Sequence, residues 1–160
     1  MNRAIFLDRD GTVIADKGYL GDTDGIEFLP GVLSALRAIQ DAGFLLIMVS
    51  NQSGIGRGYF TENDYDAVQK RLDELLKSNG VKFTEYYHCP HLPEDNCVCR
   101  KPEPYFALKA SAEFGISLQN SYMVGDKQSD IEFGKNFGAK GCFFNVRNLV
   151  ENLALLYPVR

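Results

Sequence analysis

Short apolar runs alternate with longer stretches of helical spacing along the whole chain. Residues 4 to 8 (AIFLD) form an apolar run that ends on an aspartate. Residues 44 to 50 (FLLIMVS) are apolar almost throughout, as a strand covered on both faces must be. Residues 83 to 88, 121 to 125 (SYMVG) and 141 to 146 (GCFFNV) read as three further strands. Between residues 31 and 42 the spacing puts Val32, Leu33, Leu36 and Ile39 on one face of a helix, and Gly43 stops it. Thr61-Glu62-Asn63-Asp64 is a helix start, a Thr cap with an acid three residues on, and that helix runs to about Asn79-Gly80. Residues 103 to 115 read as a helix closed by Gly115, residues 127 to 138 as another, and a last one begins at Asn148. Residues 89 to 102 interrupt the rhythm with a compact loop.

Strand and helix in strict alternation predict an α/β fold, a doubly wound parallel sheet with helices on both faces. The chain's 160 residues suit one domain spanning 1–160, and no internal repeat, low-complexity segment or linker divides it. Ligands of such sheets bind beyond the carboxyl ends of the strands. The residues found there therefore carry the functional reading.

Charge and composition remove other classes. The formal charge is −4 and no run of Lys or Arg stands out, so nucleic acid is a poor partner. No apolar run approaches the ~18 residues of a membrane span. The first eight residues are too short an apolar segment for a secretion signal. A soluble, cytoplasmic monomer without a membrane partner is expected. Of four cysteines, Cys89, Cys97 and Cys99 crowd together and Cys142 stands far off, which suits a metal loop in a reducing compartment better than a disulfide scaffold.

Acids gather at predicted strand ends. Asp8 ends the first strand, and Arg9-Asp10-Gly11-Thr12 follows. In extended chain, residues two apart point the same way, so Asp8 and Asp10 face one site and Arg9 faces elsewhere. Two such carboxylates repel unless a cation lies between them. Magnesium prefers oxygen ligands and commonly uses one or two carboxylates with substrate phosphate. Asp126 closes the fourth strand and can complete the metal site; Asp130 follows four residues later at a helix start. Ser50-Asn51-Gln52-Ser53-Gly54 ends the second strand with small donors that can cradle a phosphate. Arg100-Lys101-Pro102 adds two cations before a helix. Any one of these is ordinarily a turn, loop or cap. Their joint placement at successive strand ends is what points to a site.

This order of motifs resembles the haloacid dehalogenase superfamily. Asp8-Arg9-Asp10-Gly11-Thr12 fits its DxDG[TV] motif, Ser50 its strand-end Ser or Thr, Lys101 its Lys ahead of a helix, and Gly125-Asp126 with Asp130 its GDxxxD motif. The resemblance implies a phosphatase in which Asp8 attacks phosphorus and Asp10 serves as acid, then base. It implies magnesium held by Asp8, Asp126 and the Asp10 backbone carbonyl. Ser50 would bond a phosphate oxygen, Lys101 would balance the charge of Asp8, and Asp130 would orient the ligands. About forty residues separate the first two motifs, too few for the large cap that many members insert.

Residues 89 to 99 hold a CxH and a CxC pair: Cys89, His91, Cys97 and Cys99. Three thiolates and one imidazole suit a closed, structural zinc site. Each pair is two residues apart, so both members point to one side of extended chain, and Glu94-Asp95-Asn96 can form the turn between them. A disulfide would leave one cysteine over. His88 is out of phase with the cluster and reads as a strand-end residue, and Cys142 as a buried core residue.

The CPH…CxCRKP loop resembles two branches of the superfamily. One removes the 7-phosphate of a heptose 1,7-bisphosphate on the route to lipopolysaccharide heptose. The other acts on histidinol phosphate, and its loop is closer in length. Asp16-Lys17-Gly18-Tyr19, Ser50 to Gly58 and Ser121 to Lys127 resemble the heptose branch. A sugar bisphosphate is therefore the expected substrate, with Asp16, Lys17, Gly18, Tyr19, Asn51, Gln52, Ser53, Arg57, Arg100 and Lys127 around it. Arg57 suits a second phosphate away from the metal. Two readings from other classes stand beside this one: a phospho-accepting receiver domain and a non-catalytic zinc-stabilised binding module.

Overall fold

A computed structural model describes residues 1–156. Five strands, β1 (Ala4–Leu7), β2 (Leu45–Asn51), β3 (Glu85–Cys89), β4 (Tyr122–Val124) and β5 (Gly141–Phe143), pair in the order β3-β2-β1-β4-β5. All four pairings are parallel, and Phe6 in β1 lies opposite Ile47 on one side and Met123 on the other. The helices are α1 (Val32–Asp41), α2 (Ser53–Gly56), α3 (Glu62–Ser78), α4 (Tyr105–Phe114), α5 (Gln128–Phe137) and α6 (Val146–Leu156). The chain works outward from β1 to β3, then crosses back to β4 on the other side of β1. That reversal places the topological switch between β1 and β4, where open α/β sheets bind ligands.

The two-residue period of the strands sorts the core into layers. Ile5, Leu7, Leu46, Met48 and Val124 pack with Leu36 and Ile39 of α1, Leu72 and Leu76 of α3 and Leu149 of α6. Ala4, Phe6, Ile47, Val49 and Met123 pack with Phe106 and Ala110 of α4 and Phe133 and Phe137 of α5. A sheet covered on both faces needs apolar residues in both phases, which is why β1 and β2 read as unbroken apolar runs. Gly134 lets α5 press against Met123 and Cys142, since a Cβ there would collide with the Cys142 sulfur. Cys142 itself is half-buried and packs at the edge of this layer, less enclosed than a core residue because β5 is the border strand.

Local chemistry sets the element ends. Thr61 Oγ1 accepts the Asp64 amide at 3.1 Å while Asp64 Oδ2 accepts the Thr61 amide at 2.8 Å, a reciprocal cap at the start of α3. Asn145 Oδ1 accepts the Asn148 amide at 2.9 Å. That cap starts α6 at Val146, two residues before Asn148, and β5 accordingly stops at Phe143 rather than at residue 146. The strand-end donors 53 to 56 form the single turn α2 instead of open loop. No helix among the described residues is long and apolar enough to cross a membrane.

Candidate active site

β1 and β4 are neighbours in register, so the residues that follow them emerge together. The Asp8 amide donates to the Val124 carbonyl at 3.0 Å, which fixes the first residue past β1 against the end of β4. Asp8 is buried and lines a cleft of about 330 Å3 beyond the carboxyl ends of the sheet.

Lys101 reaches this point from the loop before α4. Its Nζ donates to Asp8 Oδ1 at 3.0 Å, Asp130 Oδ1 at 2.6 Å and the Val49 carbonyl at 2.7 Å. Each of its three protons thus has an acceptor. Burial alone would lower the pKa of Lys101, but the charges of Asp8 and Asp130 hold it above the usual lysine value. Asp130 Oδ2 accepts the Lys127 amide at 3.2 Å, so this carboxylate also caps α5. Burial pushes Asp130 above the ordinary carboxylate range despite the lysine beside it.

Lys101 is fastened by Asn51. The Asn51 side chain accepts the Lys101 amide at 2.9 Å and donates to the Lys101 carbonyl at 3.1 Å, imitating one rung of a ladder between β2 and the loop. Ser50 is buried beside it, and its Oγ has no hydrogen-bond partner. Burial pushes the nearby Tyr65 phenol above its ordinary pKa, with the charge of Arg9 opposing the rise.

Carboxylate oxygens of Asp8, Asp126 and Asp130 all lie within 4.8 Å of one another. Partial burial and then the charge of Asp8 push Asp126 above the usual range. A divalent cation relieves that repulsion, and an all-oxygen donor set fits magnesium. Gly11, at φ +83°, preserves the space: a side chain there would run into the Asp126 carboxylate. Both Asp130 oxygens are already engaged, by Lys101 Nζ and by the Lys127 amide, whereas Lys101 takes only Oδ1 of Asp8, which leaves Asp8 and Asp126 as the carboxylates open to metal.

Asp10 lines the same cleft, but its carboxylate stands outside this trio. Both of its oxygens lie 3.2 Å from Arg9 Nε, and Oδ2 accepts from Gln52 Nε2 at 3.1 Å. Strand alternation sends Arg9 away from the site. Its guanidinium does leave the cleft, yet it returns beneath Asp10, because β1 has already ended at Leu7 and the chain turns at Gly11.

Asp16, Gly18, Tyr19, Asn51, Gln52, Ser53, Arg57, Arg100 and Lys127 all line the cleft. Tyr19 packs on Tyr59 with ring centroids 4.8 Å apart, and the Arg57 guanidinium sits 5.8 Å from the Tyr19 ring. Lys17 differs from the expectation. Its ammonium pairs with Glu27 at 2.7 Å, and it is not among the residues lining the cleft. Asp16 Oδ1 accepts the Gly18 amide at 2.9 Å, a tight turn that directs Tyr19 and Lys17 differently. Ser129 lines the cleft as well, at the start of α5. Nothing in the sequence marks it, because only the acids of GDxxxD stand out there.

The zinc-type ligands also converge. Cys89 Sγ lies 3.4 Å from His91 Nδ1 and 3.5 Å from Cys97 Sγ, and Cys99 Sγ lies 3.4 Å from His91 Nδ1, 3.8 Å from Cys97 Sγ and 2.6 Å from Cys89 Sγ. All four cysteines are free thiols. Three thiolates and one imidazole converging in this way are the donor set of a zinc site. Burial opposes it, yet hydrogen bonds from Cys89 and from the Arg100 and Cys99 amides bring the Cys97 thiol down to about 7. His88 lies outside the cluster, 2.7 Å from Glu62 and stacked on Tyr65.

Residues 98–145 match the family model described as HAD-hydrolase-like. A D-glycero-beta-D-manno-heptose-1,7-bisphosphate 7-phosphatase of Helicobacter pylori is 41% identical over 148 residues, covering 92% of this chain and 86% of that one. The Escherichia coli K12 protein of the same name is 42% identical over 146 residues, covering 86% of this chain and 76% of its own. The crystal structure of D,D-heptose 1,7-bisphosphate phosphatase from B. bronchiseptica, complexed with magnesium and phosphate, superposes with a TM-score of 0.87 at 25% identity, over 96% of this chain and 99% of that one. Likeness of this extent in sequence, joined to the same sheet, makes the chain a member of the heptose-bisphosphate phosphatase family within the haloacid dehalogenase superfamily.

Proposed function

We propose that the protein is a magnesium-dependent phosphatase that removes the 7-phosphate of D-glycero-beta-D-manno-heptose 1,7-bisphosphate through a phosphoryl group carried on Asp8. The observation that carries this reading is the buried bridge from Asp8 through Lys101 to Asp130 at the mouth of β1. It holds a carboxylate at the cleft with its charge balanced and its position fixed, as a nucleophile requires.

An Asp8 oxygen attacks phosphorus while the bond from phosphorus to the sugar oxygen breaks. Asp10 gives its proton to that departing oxygen. Asp10, now a carboxylate, takes a proton from water; the water oxygen attacks phosphorus, inorganic phosphate leaves and Asp8 is restored. Lys101 balances charge on Asp8 and the phosphoryl group, and the unpartnered Ser50 hydroxyl is available to a phosphoryl oxygen. Asp8 and Asp126, with the Asp10 carbonyl, would hold magnesium, which neutralises charge on the transferring group and orients it.

A bisphosphate carries its second charge several bonds from the first. Arg57, Arg100 and Lys127 line the cleft and can meet it, with Asp16, Gly18, Tyr19, Asn51, Gln52 and Ser53 around the sugar. Cys89, His91, Cys97 and Cys99 would bind a structural zinc, leaving no position open for water, and so rigidify the loop that delivers Arg100 and Lys101. The reading takes residues 1–160 as one cytoplasmic, monomeric phosphatase domain with the zinc loop 89–99 inside it.

Phosphate release with magnesium, comparing the heptose bisphosphate with histidinol phosphate at equal concentration, tests this. A large preference for the heptose, abolished by Asp8→Asn, is expected. Preference for histidinol phosphate would sink the substrate assignment and keep the mechanism. Phosphoryl transfer to Asp8 without repeated turnover would instead favour a receiver-like protein.

A further inference from the structure

Arg9 heads the wholly buried side chains by size among the described residues. Its partners come from three parts of the chain. Nε lies 3.2 Å from both Asp10 oxygens, and Nη2 lies 3.2 Å from Asp10 Oδ2. Nη2 also donates to Gln52 Oε1 at 3.2 Å, just before α2. Nη1 donates to Gln69 Oε1 at 2.9 Å, in the middle of α3. Gln52 closes the ring by donating Nε2 to Asp10 Oδ2 at 3.1 Å. The Tyr65 ring, 5.7 Å from the guanidinium carbon, walls one side.

A buried guanidinium is a poor device for stability alone. Buried ion pairs barely offset their desolvation, and apolar groups of similar volume often serve as well or better. What an apolar residue cannot do is fix the rotation of a carboxylate. A planar fork of donors gripping both oxygens does that. Gln52 and Gln69 in turn fix the fork.

We infer that Arg9, braced by Gln69, is a positioning residue: it holds the Asp10 carboxyl clear of the Asp8, Asp126 and Asp130 trio and at the cleft, where it can pass a proton to the departing oxygen. The inference rests on the acid and base role proposed for Asp10. The clamp matches the carboxylate that Asp10 becomes once its proton has moved to the sugar oxygen, the form that then activates water. Gln69 does not line the cleft, so its effect must travel through Arg9.

Leaving-group dependence separates positioning from general structural damage. A sugar alkoxide needs its proton as the bond to phosphorus breaks; p-nitrophenolate leaves without one. With magnesium, the single-turnover rate of sugar or p-nitrophenol release, which precedes the water step common to both substrates, is measured on the heptose bisphosphate and on p-nitrophenyl phosphate for wild type, Asp10→Asn, Arg9→Met, Arg9→Lys and Gln69→Met. Arg9→Met should lose about 10²-fold on the sugar phosphate, as misplacement of a catalytic group by about 1 Å does. Its loss on the aryl phosphate should be under about tenfold, with KM little changed. Gln69→Met should show the same bias more weakly, and Arg9→Lys should recover part of the sugar-phosphate rate. If Arg9→Met fails to fold, Gln69→Met decides. Equal losses on both substrates, or no loss on either, would overturn the inference while Asp10→Asn still showed the bias. If Asp10→Asn itself lacks the bias, the acid role of Asp10 fails and the inference goes with it.

Discussion

Replacing Lys101 by methionine keeps most of the side chain's length and apolar bulk and deletes its charge. Asp8 is 5% exposed and Asp130 1%, so neither carboxylate can turn to bulk water for what it loses. Removing one partner of a buried ion pair costs about 3–5 kcal/mol, because a charge is left buried and uncompensated. Here one ammonium serves two carboxylates and the Val49 carbonyl, so a loss of about 4 kcal/mol is expected for the metal-free protein at pH 8.

The cost should depend on pH in a definite direction. Asp130 already has a folded-state pKa above its ordinary 3.8, from burial, with Lys101 opposing the rise. Without Lys101 it climbs further. A carboxylate whose pKa is raised by folding binds more protons folded than unfolded, so stability is greatest below its unfolded value and falls as pH rises toward the folded one. Lys101 acts on the other side of neutrality. Its folded pKa is raised above 10.5, so its contribution is complete below 10.5 and is lost only at higher pH. Between pH 4 and 8 the wild-type ammonium is therefore constant, and the gap between the two proteins should widen with pH. Urea unfolding in chelator should give a difference of about 1–2 kcal/mol near pH 4.5 and about 4 kcal/mol near pH 8, each unit of pKa being worth about 1.4 kcal/mol. A gap that stays flat with pH, or one at pH 8 no larger than the ~1 kcal/mol of an exposed pair, would refute the reasoning.

Cys97→Ser should lower bound zinc, read by metal analysis, and reduce turnover of sugar and aryl phosphates alike, with added magnesium giving no recovery; full activity in a zinc-free protein would show that the loop holds Lys101 unaided. Arg57→Ala should raise KM for the bisphosphate about tenfold, the effect of ~1.4 kcal/mol, and leave that for a monophosphate almost unmoved; equal changes would place Arg57 outside recognition of the second phosphate. Thr61→Ala should cost about 1 kcal/mol in a denaturant titration, since it removes one half of the α3 cap, while kcat stays unchanged.

What could be read in advance was whatever a short window encodes. Thr61 and Asp64 announce α3 because a cap is written within four residues. The apolar runs of β1 and β2 announce a two-faced sheet because burial on both sides leaves no polar phase. The acids of the site were legible since each falls at the end of such a run. Long-range partners left no local mark. Nothing near Arg9 points to Gln69, sixty residues away, as its acceptor, and nothing near Lys17 marks Glu27 as its ion-pair partner. The start of α6 differs from the sequence pattern for a smaller reason: Asn145 lies in a run that reads as strand, though its side chain is a cap. α2, at four residues, is too short to show a helical period.

β1 is synthesised before the other four strands, yet it lies at the centre of the sheet, with β2 on one side and β4 on the other. The Asp8 amide bonds to a carbonyl of β4, and Lys101 and Asp126 arrive from later parts of the chain. A nascent chain emerging from the ribosome can therefore pair β1 with β2 and β3 early, but Asp8, the proposed nucleophile, meets its lysine only once residue 101 has been made and its proposed metal partner only once residue 126 has. Half of β1 is meanwhile an open edge, slow to find its distant neighbour because loop closure over such a span precedes any gain from pairing. Assembly of the proposed site is thus a late event of biosynthesis, and a truncated translation product that stops short of β4 carries Asp8 without the Asp126 and Asp130 carboxylates that gather around it.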